Sequence, residues 1–220
     1  MIYGLVPIGG KGTRLGLTFS KEMLPQKGFL HFNPIANNLV SAMMEAGAEE
    51  IIFIHGFDFK QDVISFFGKD FHKHFLQKKD GFSNVLKEIM INIPLENSDK
   101  ILFGMPDTIF RGNPFHEMLE HEGIACALFR TNDSSKVDRL YQNKQKFAVK
   151  QPKSCALQNR FWGLLKFDGI NLLNMENTGQ FSLHTEIGDI LNFYDFACIR
   201  AEDYLDLGTW DNYNDYLQNY

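Results

Sequence analysis

Cysteine is scarce: Cys126, Cys155 and Cys198 are the only three in 220 residues, an odd number with no C-x-x-C spacing, which excludes a disulfide framework as the organising principle. They lie in mostly apolar stretches and read as reduced core residues of a cytoplasmic protein. No apolar run approaches the ~20 residues of a membrane-spanning helix. The first residues are a strand-like run, without a basic segment followed by a cleavage site. Positive charge is also short: the formal net charge is −5, the pI is near 5.8, and the Lys and Arg residues are scattered. A nucleic acid held by its phosphates is therefore not an expected partner, and an anionic small molecule would have to be gripped locally. The length suits a single α/β domain spanning residues 1–220, large enough to bury a sheet with helices on both faces, with no room for a second.

What is present is concentrated near the N-terminus. An apolar run, Ile2 to Ile8, reads as a buried strand and passes into Gly9-Gly10-Lys11-Gly12-Thr13-Arg14-Leu15, with Ser20-Lys21-Glu22-Met23-Leu24-Pro25 following. Three glycines in four positions let the main chain turn and bring its N–H groups close to a bulky anion. Arg14 then offers a planar fork and Lys21 a point charge. Strand, amide-rich loop and two spaced cations make a triphosphate cradle; the plainer alternative is a strand end with solvated cations. Neither G-x-G-x-x-G nor G-x-x-x-x-G-K-[ST] fits, so the dinucleotide and P-loop fingerprints are excluded.

The stretch resembles the signature of the sugar-1-phosphate nucleotidyltransferases, the pyrophosphorylases that make nucleoside-diphosphate sugars. That signature has two glycines, any residue, Gly-Thr-Arg-Leu, then a Lys shortly before Leu-Pro. The family usually has Pro before that Lys; this chain has Ser20, a variant met among thymidylyl members. The resemblance implies a Rossmann-like three-layer α/β fold with a mixed, mostly parallel sheet. It also implies nucleotide contacts from Ile8, Gly9, Gly10, Gly12 and Thr13, and catalytic roles for Arg14 and Lys21.

Further along, the spacing predicts a helix from about Pro34 to Ala46 stopped by Gly47, then a buried strand Glu50–His55. Together with the first strand these form a βαβ unit with a right-handed crossover. Residues 58–75 read as one helix carrying His72 and His74 on different faces at the surface. Residues 80–95 read as a core helix. Lys100–Gly104 is an apolar strand followed by Met105-Pro106-Asp107-Thr108. A carboxylate at the carboxyl end of such a strand, facing a triphosphate, is tolerable when it holds a cation, which makes Asp107 a metal ligand; the other reading is a Pro-Asp turn. In the family an aspartate in a Pro-Asp-x or Gly-Asp-Asn sequence chelates magnesium, and Asp107 matches the first form.

Residues 123–130 predict another buried strand, and residues 146–150 a short one leading to Gln151-Pro152-Lys153. Family members carry a lysine directly before a proline there, in contact with the sugar phosphate. The role falls to Lys150, with Lys153 in reserve, because Gln151 intervenes. Phe161 to Asp168 resembles the strand whose glycine, here Gly163, lets a sugar ring approach; a bulge is the alternative. Glu186, in Glu-Ile-Gly-Asp, matches a glutamate that binds sugar hydroxyls. Asp206-Leu207-Gly208-Thr209 matches an aspartate, one residue, Gly and Thr, which supplies the second metal carboxylate. A tyrosine- and asparagine-rich helix closes the chain.

These motifs stand in family order over nearly the whole chain. The implied reaction joins a nucleoside triphosphate to a sugar 1-phosphate with release of pyrophosphate, by in-line displacement assisted by Mg2+ on Asp107 and Asp206. Transfer to a non-sugar phosphate, or a non-catalytic nucleotide or sugar-phosphate sensor on the same fold, stays open, as do the base and the sugar. Members commonly form dimers or tetramers, so a homo-oligomer fits the resemblance.

Overall fold

A computed structural model describes residues 1–10, 12, 15–68, 72–79, 81–130, 160–180, 194–201 and 203–219. Among these, the continuous apolar runs become strands because each can bury both faces. They are β1 Ile2–Ile8, β2 Glu50–His55, β4 Lys100–Gly104 and β6 Ile124–Arg130; β3 His72–Leu76, β7 Arg160–Asp168 and β8 Phe196–Ala201 complete a seven-stranded sheet of order β3-β2-β1-β4-β7-β6-β8. β1, β2, β3 and β4 pair in parallel, as do β6 and β8, while β7 runs antiparallel to both its neighbours. The sheet is thus mixed and mostly parallel, the α/β class expected.

Successive residues of the central strands feed opposite layers. Leu5, Ile52, Ile54 and Phe103 pack with Leu86 and Ile89 of α3 (Phe82–Asn92) and with Leu172 of α5 (Gly169–Asn177). Val6, Ile51, Phe53 and Leu102 pack instead with Leu39 and Met43 of α1 (Ala36–Glu45), Val63 of α2 (Gln61–Phe67) and Phe115 of α4 (Pro114–Leu119). Each such side chain, fully buried, is worth roughly 1.5–3 kcal/mol relative to exposure. A third, smaller cluster lies beyond the sheet. There the two-stranded ribbon β5 (Thr108–Phe110) and β9 (Tyr204–Asp206), with the last helix α6 (Trp210–Asn219), covers residues 15–35 through Leu15, Leu24, Ile35, Ile109, Leu207, Tyr213 and Tyr216.

One expected element is corrected. Residues 58–75 are not one helix: the chain leaves α2 at Gly68 and residues 72–76 add to the free edge of β2 as β3. The parallel main-chain ladder, from Ile51↔His72 to His55↔Leu76, satisfies backbone groups that the spacing of the phenylalanines does not register. His72 and His74 therefore share a face. His74 is half-buried, not a surface residue, and stacks on Phe53 at 5.0 Å between ring centres and 9° between planes. Cys198 is disulfide-bonded, against the expectation of three reduced thiols, while Cys126 is a free, fully buried thiol whose pKa burial pushes up.

Candidate active site

β1 and β4 are adjacent and parallel, so the loops leaving their carboxyl ends, beginning at Gly9 and Met105, emerge side by side. Open α/β sheets offer their ligand crevices at that end. The first loop carries the glycines and leads to a short 3-10 turn, Lys21–Met23; the second carries Pro106-Asp107 into β5. Lys21 Nζ donates to Asp107 Oδ2, and the two side chains are only 17% and 9% exposed. Burial lowers the affinity of Lys21 for its proton, but Asp107, Glu22 and Asp206 outweigh it and leave its pKa raised.

Asp206 reaches the same place from the other end of the chain. β5 and β9 pair antiparallel with Thr108 opposite Asp206, and Leu207 N donates to the Asp107 carbonyl at 2.9 Å. Gly208 N donates to Asp206 Oδ1 at 2.8 Å, which aims that carboxylate. Gly208 explains itself by proximity: a β-carbon on it would stand 2.9 Å from Asp206 Oδ1 and 3.4 Å from Asp107 Oδ2. Two acidic side chains 99 positions apart in sequence thus close on one point, next to a lysine ammonium. Like charges so close repel unless cations neutralise them. Lys21 supplies one. The remaining donors are hard carboxylate oxygens, the set that suits Mg2+, which takes one or two carboxylates and completes its shell with water and phosphate. Among the described residues no group of three or more His, Cys, Asp or Glu could hold a metal by itself.

The glycine loop faces this pair. A β-carbon on Gly10 would meet Lys21 Nζ at 3.4 Å, and one on Gly12 would meet Lys21 Cβ at 3.6 Å, so the lysine stem lies along the loop. Ile8 is buried in the core and fixes where the loop begins. Gln77, at the end of β3, brings its side-chain oxygen to 3.3 Å from the place of a Gly9 β-carbon, while its amide donates to the Gly81 carbonyl at 3.0 Å. Thr13, Arg14, Lys150, Lys153 and Glu186 lie outside the described residues.

Gly163 has an observed reason of its own. Between Ala127↔Leu164 and Leu128↔Trp162 the β6–β7 register slips, leaving Gly163 as the extra residue of a bulge. A β-carbon there would lie 2.5 Å from the Phe129 ring and 2.7 Å from the Tyr204 ring. The bulge reading accounts for this glycine by ring packing.

Several residues at the site carry no signal that sequence inspection registered. Tyr204 stands two residues before Asp206 on the same strand, a period-2 relation that would have placed it beside the carboxylates. Burial, reinforced by Asp107 and Asp206, pushes its hydroxyl pKa well up. Gln77, Lys60 and Asp62 are brought in by β3 and α2, whose positions depend on strand order. Trp210 Nε1 donates to the Leu15 carbonyl at 2.7 Å, and Tyr213 hydroxyl to the Pro25 carbonyl at 2.9 Å, so α6 buttresses both flanks of the lysine-bearing segment.

No family model and no curated protein matches the sequence. Solved structures do match. A Bacillus anthracis protein described as a glucose-1-phosphate thymidylyltransferase, in complex with sucrose, has a TM-score of 0.75 at 19% identity, with 99% of this chain and 94% of that one covered. UTP-bound UGPase from Acinetobacter baumannii has a TM-score of 0.67 at 15% identity, covering 99% and 92%. UDP-glucose pyrophosphorylase from the same organism reaches 0.65 at 15%, with the same coverage. Over nearly its whole length, then, the chain has the fold of these nucleotidyltransferases, the nucleotide-diphospho-sugar transferase fold.

Proposed function

We propose that the chain transfers a nucleotidyl group from a nucleoside triphosphate to a sugar 1-phosphate, giving a nucleoside-diphosphate sugar and pyrophosphate. The observation that carries this reading is the closure of Asp107 and Asp206 on one point beside Lys21 and the glycine loop. The likeness in fold to a UTP-bound enzyme and to one in complex with a sugar supports nucleotide and sugar partners.

In this reading Ile8 sets where the nucleotide-binding loop begins, the main-chain N–H groups of Gly9, Gly10, Gly12 and Thr13 receive the triphosphate, and Arg14 braces the departing pyrophosphate. Lys150 and Glu186 serve the sugar-phosphate side, whereas Gly163, covered by the Phe129 and Tyr204 rings, does not offer an open face to a sugar. Asp107 and Asp206 would hold Mg2+, which supplies charge neutralisation between two phosphates and polarisation of the α-phosphate. Lys21 exchanges part of its contact with Asp107 for the α-phosphate, a charge contact that strengthens as the transition state forms. The rest is orientation: the attacking oxygen of the sugar phosphate has to line up with the leaving pyrophosphate, and no covalent intermediate is needed.

Purified protein screened with the four common nucleoside triphosphates against sugar 1-phosphates and non-sugar phosphates such as phosphocholine, with pyrophosphate detection, tests this. Release that requires both a nucleotide and a sugar 1-phosphate is the expected result. Release only with a non-sugar phosphate would redirect the acceptor, a possibility raised by Gln151 between Lys150 and Pro152. No release with any pair would overturn the reading.

A further inference from the structure

Lys21 sits in a three-residue turn, too short to hold its own direction. The residues on either side of it are fastened by one neighbouring segment. On one side, Asp62 receives Ser20 twice: the amide donates to Oδ2 at 2.7 Å and the hydroxyl to Oδ1 at 2.7 Å. On the other side, Lys60 Nζ donates to Glu22 Oε2 at 2.8 Å and to the Gly10 carbonyl at 2.9 Å. Glu22 is fully buried, so the carboxylate end of this ion pair is held away from water, while the Lys60 side chain keeps 18% of its surface exposed. A cavity of about 440 Å3 lies against the junction, lined by residues 17–21 and 60–62. Neighbouring solvent would let an unfastened segment rearrange.

The backbone at Ser20 adds a second, independent observation. Its φ is −66° and its ψ 130°. That φ is the value a proline ring imposes. The torsion is therefore one that a covalent ring could fix, but here a residue with free torsions holds it through two hydrogen bonds. The carboxylate of Asp62 is suited to that: burial works against its charge, but the Ser20 hydroxyl and amide and the Val63 amide outweigh it and hold the pKa below the usual range.

We infer that Asp62 is a positioning residue for Lys21, fixing the Ser20 torsion so that the ammonium is delivered to Asp107 and the nucleotide, with Lys60 fastening the opposite side of the turn. This deepens the nucleotidyl-transfer reading and rests on it for its kinetic consequence. Asp62 acts through Ser20 and does not itself touch the reacting groups.

The test is a cycle of Asp62→Ala in two backgrounds, the parent and Ser20→Pro, in which the ring supplies the torsion. In the parent, Asp62→Ala should lower kcat roughly tenfold, an order typical of misplaced catalytic groups, with a smaller change in nucleotide KM. In the Ser20→Pro background the same substitution should change kcat less than twofold. A kcat for Asp62→Ala within twofold of the parent, or an equal loss in both backgrounds, overturns the inference. Amide hydrogen exchange at Met23, whose N–H donates to the Ser20 carbonyl at 2.9 Å, reads the clamp without any turnover. It should quicken on Asp62→Ala in the parent and stay slow with Ser20→Pro. If the wild-type protein releases no pyrophosphate, the function falls but the exchange measurement still decides the clamp: unchanged Met23 exchange in Asp62→Ala rejects it.

Discussion

The contact between Lys21 and Asp107 joins two groups that have both lost most of their water, and each makes the other's charge tolerable. Removing the lysine leaves Asp107 and Asp206 facing one another with less neutralising charge. Lys21→Ala should therefore lower turnover by roughly 10²-fold or more, the order of a lost transition-state charge contact; steady-state kinetics at saturating nucleotide check it. Gly208 offers a gentler probe, because the place a β-carbon would take on it lies between the two carboxylates. The β-carbon of Gly208→Ala would fall 2.9 Å from Asp206 Oδ1, inside ordinary contact distance, and must push that oxygen aside. Turnover should fall at least tenfold while the melting temperature moves by only a few degrees, as measured by differential scanning fluorimetry alongside the assay. At this scale the sequence was informative where a residue type had one chemical reason to be in its place. Asp107 and Asp206 were legible from motif order; Tyr204 and Gln77 were not, since an aromatic and an amide have many ordinary uses.

Edge strand β3 shows what a change of element does to chemistry. Read as helical, His72 and His74 would diverge; as part of a strand beside β2, His74 meets His55, whose Nε2 lies 2.9 Å from His74 Nδ1. His55 Nδ1 accepts the Lys60 amide at 2.9 Å, which leaves the Nε2 proton of His55 to be donated to His74, and His74 Nε2 to donate to the Gly68 carbonyl at 3.1 Å. Both rings are neutral in this chain of donors. Burial first, then His74 and Lys60, lower the His55 pKa to about 4 from 6.5. The unfolded chain thus binds a proton that the folded one refuses between these values, so the stability contributed is complete above pH 6.5 and is lost as pH falls toward 4, up to about 3 kcal/mol. Urea midpoints measured from pH 4 to 7.5 should drop on the acid side. In His55→Phe the drop should be visibly shallower, with lower stability at neutral pH because the Lys60 amide loses its acceptor. The 3.6-residue spacing of Phe67, Phe71 and Phe75 misled because strand pairing depends on which edge is free, information that no local window of sequence contains.

Across the whole molecule, the buried strands of the central sheet were legible as continuous apolar runs: β1, β2, β4 and β6 match their expected spans to within a residue or so. β5, β8 and β9 were not, because β5 and β9 are three residues each and gain their identity by pairing with one another. That ribbon is nonetheless what brings Asp206 to Asp107, and α6 behind it anchors the glycine-loop segment. Sequence order therefore announced the two acids, and only tertiary pairing explains why they meet. Among the described residues no helix is long and apolar enough to cross a membrane. The meeting of Asp107 and Asp206 at a cation-linked nucleotide site is tested most directly by calorimetric titration of nucleoside triphosphate, with and without magnesium, into wild-type protein and Asp107→Asn. Wild-type affinity should rise at least tenfold with magnesium and the variant should show no such gain; an equal magnesium-linked gain in both proteins would contradict it.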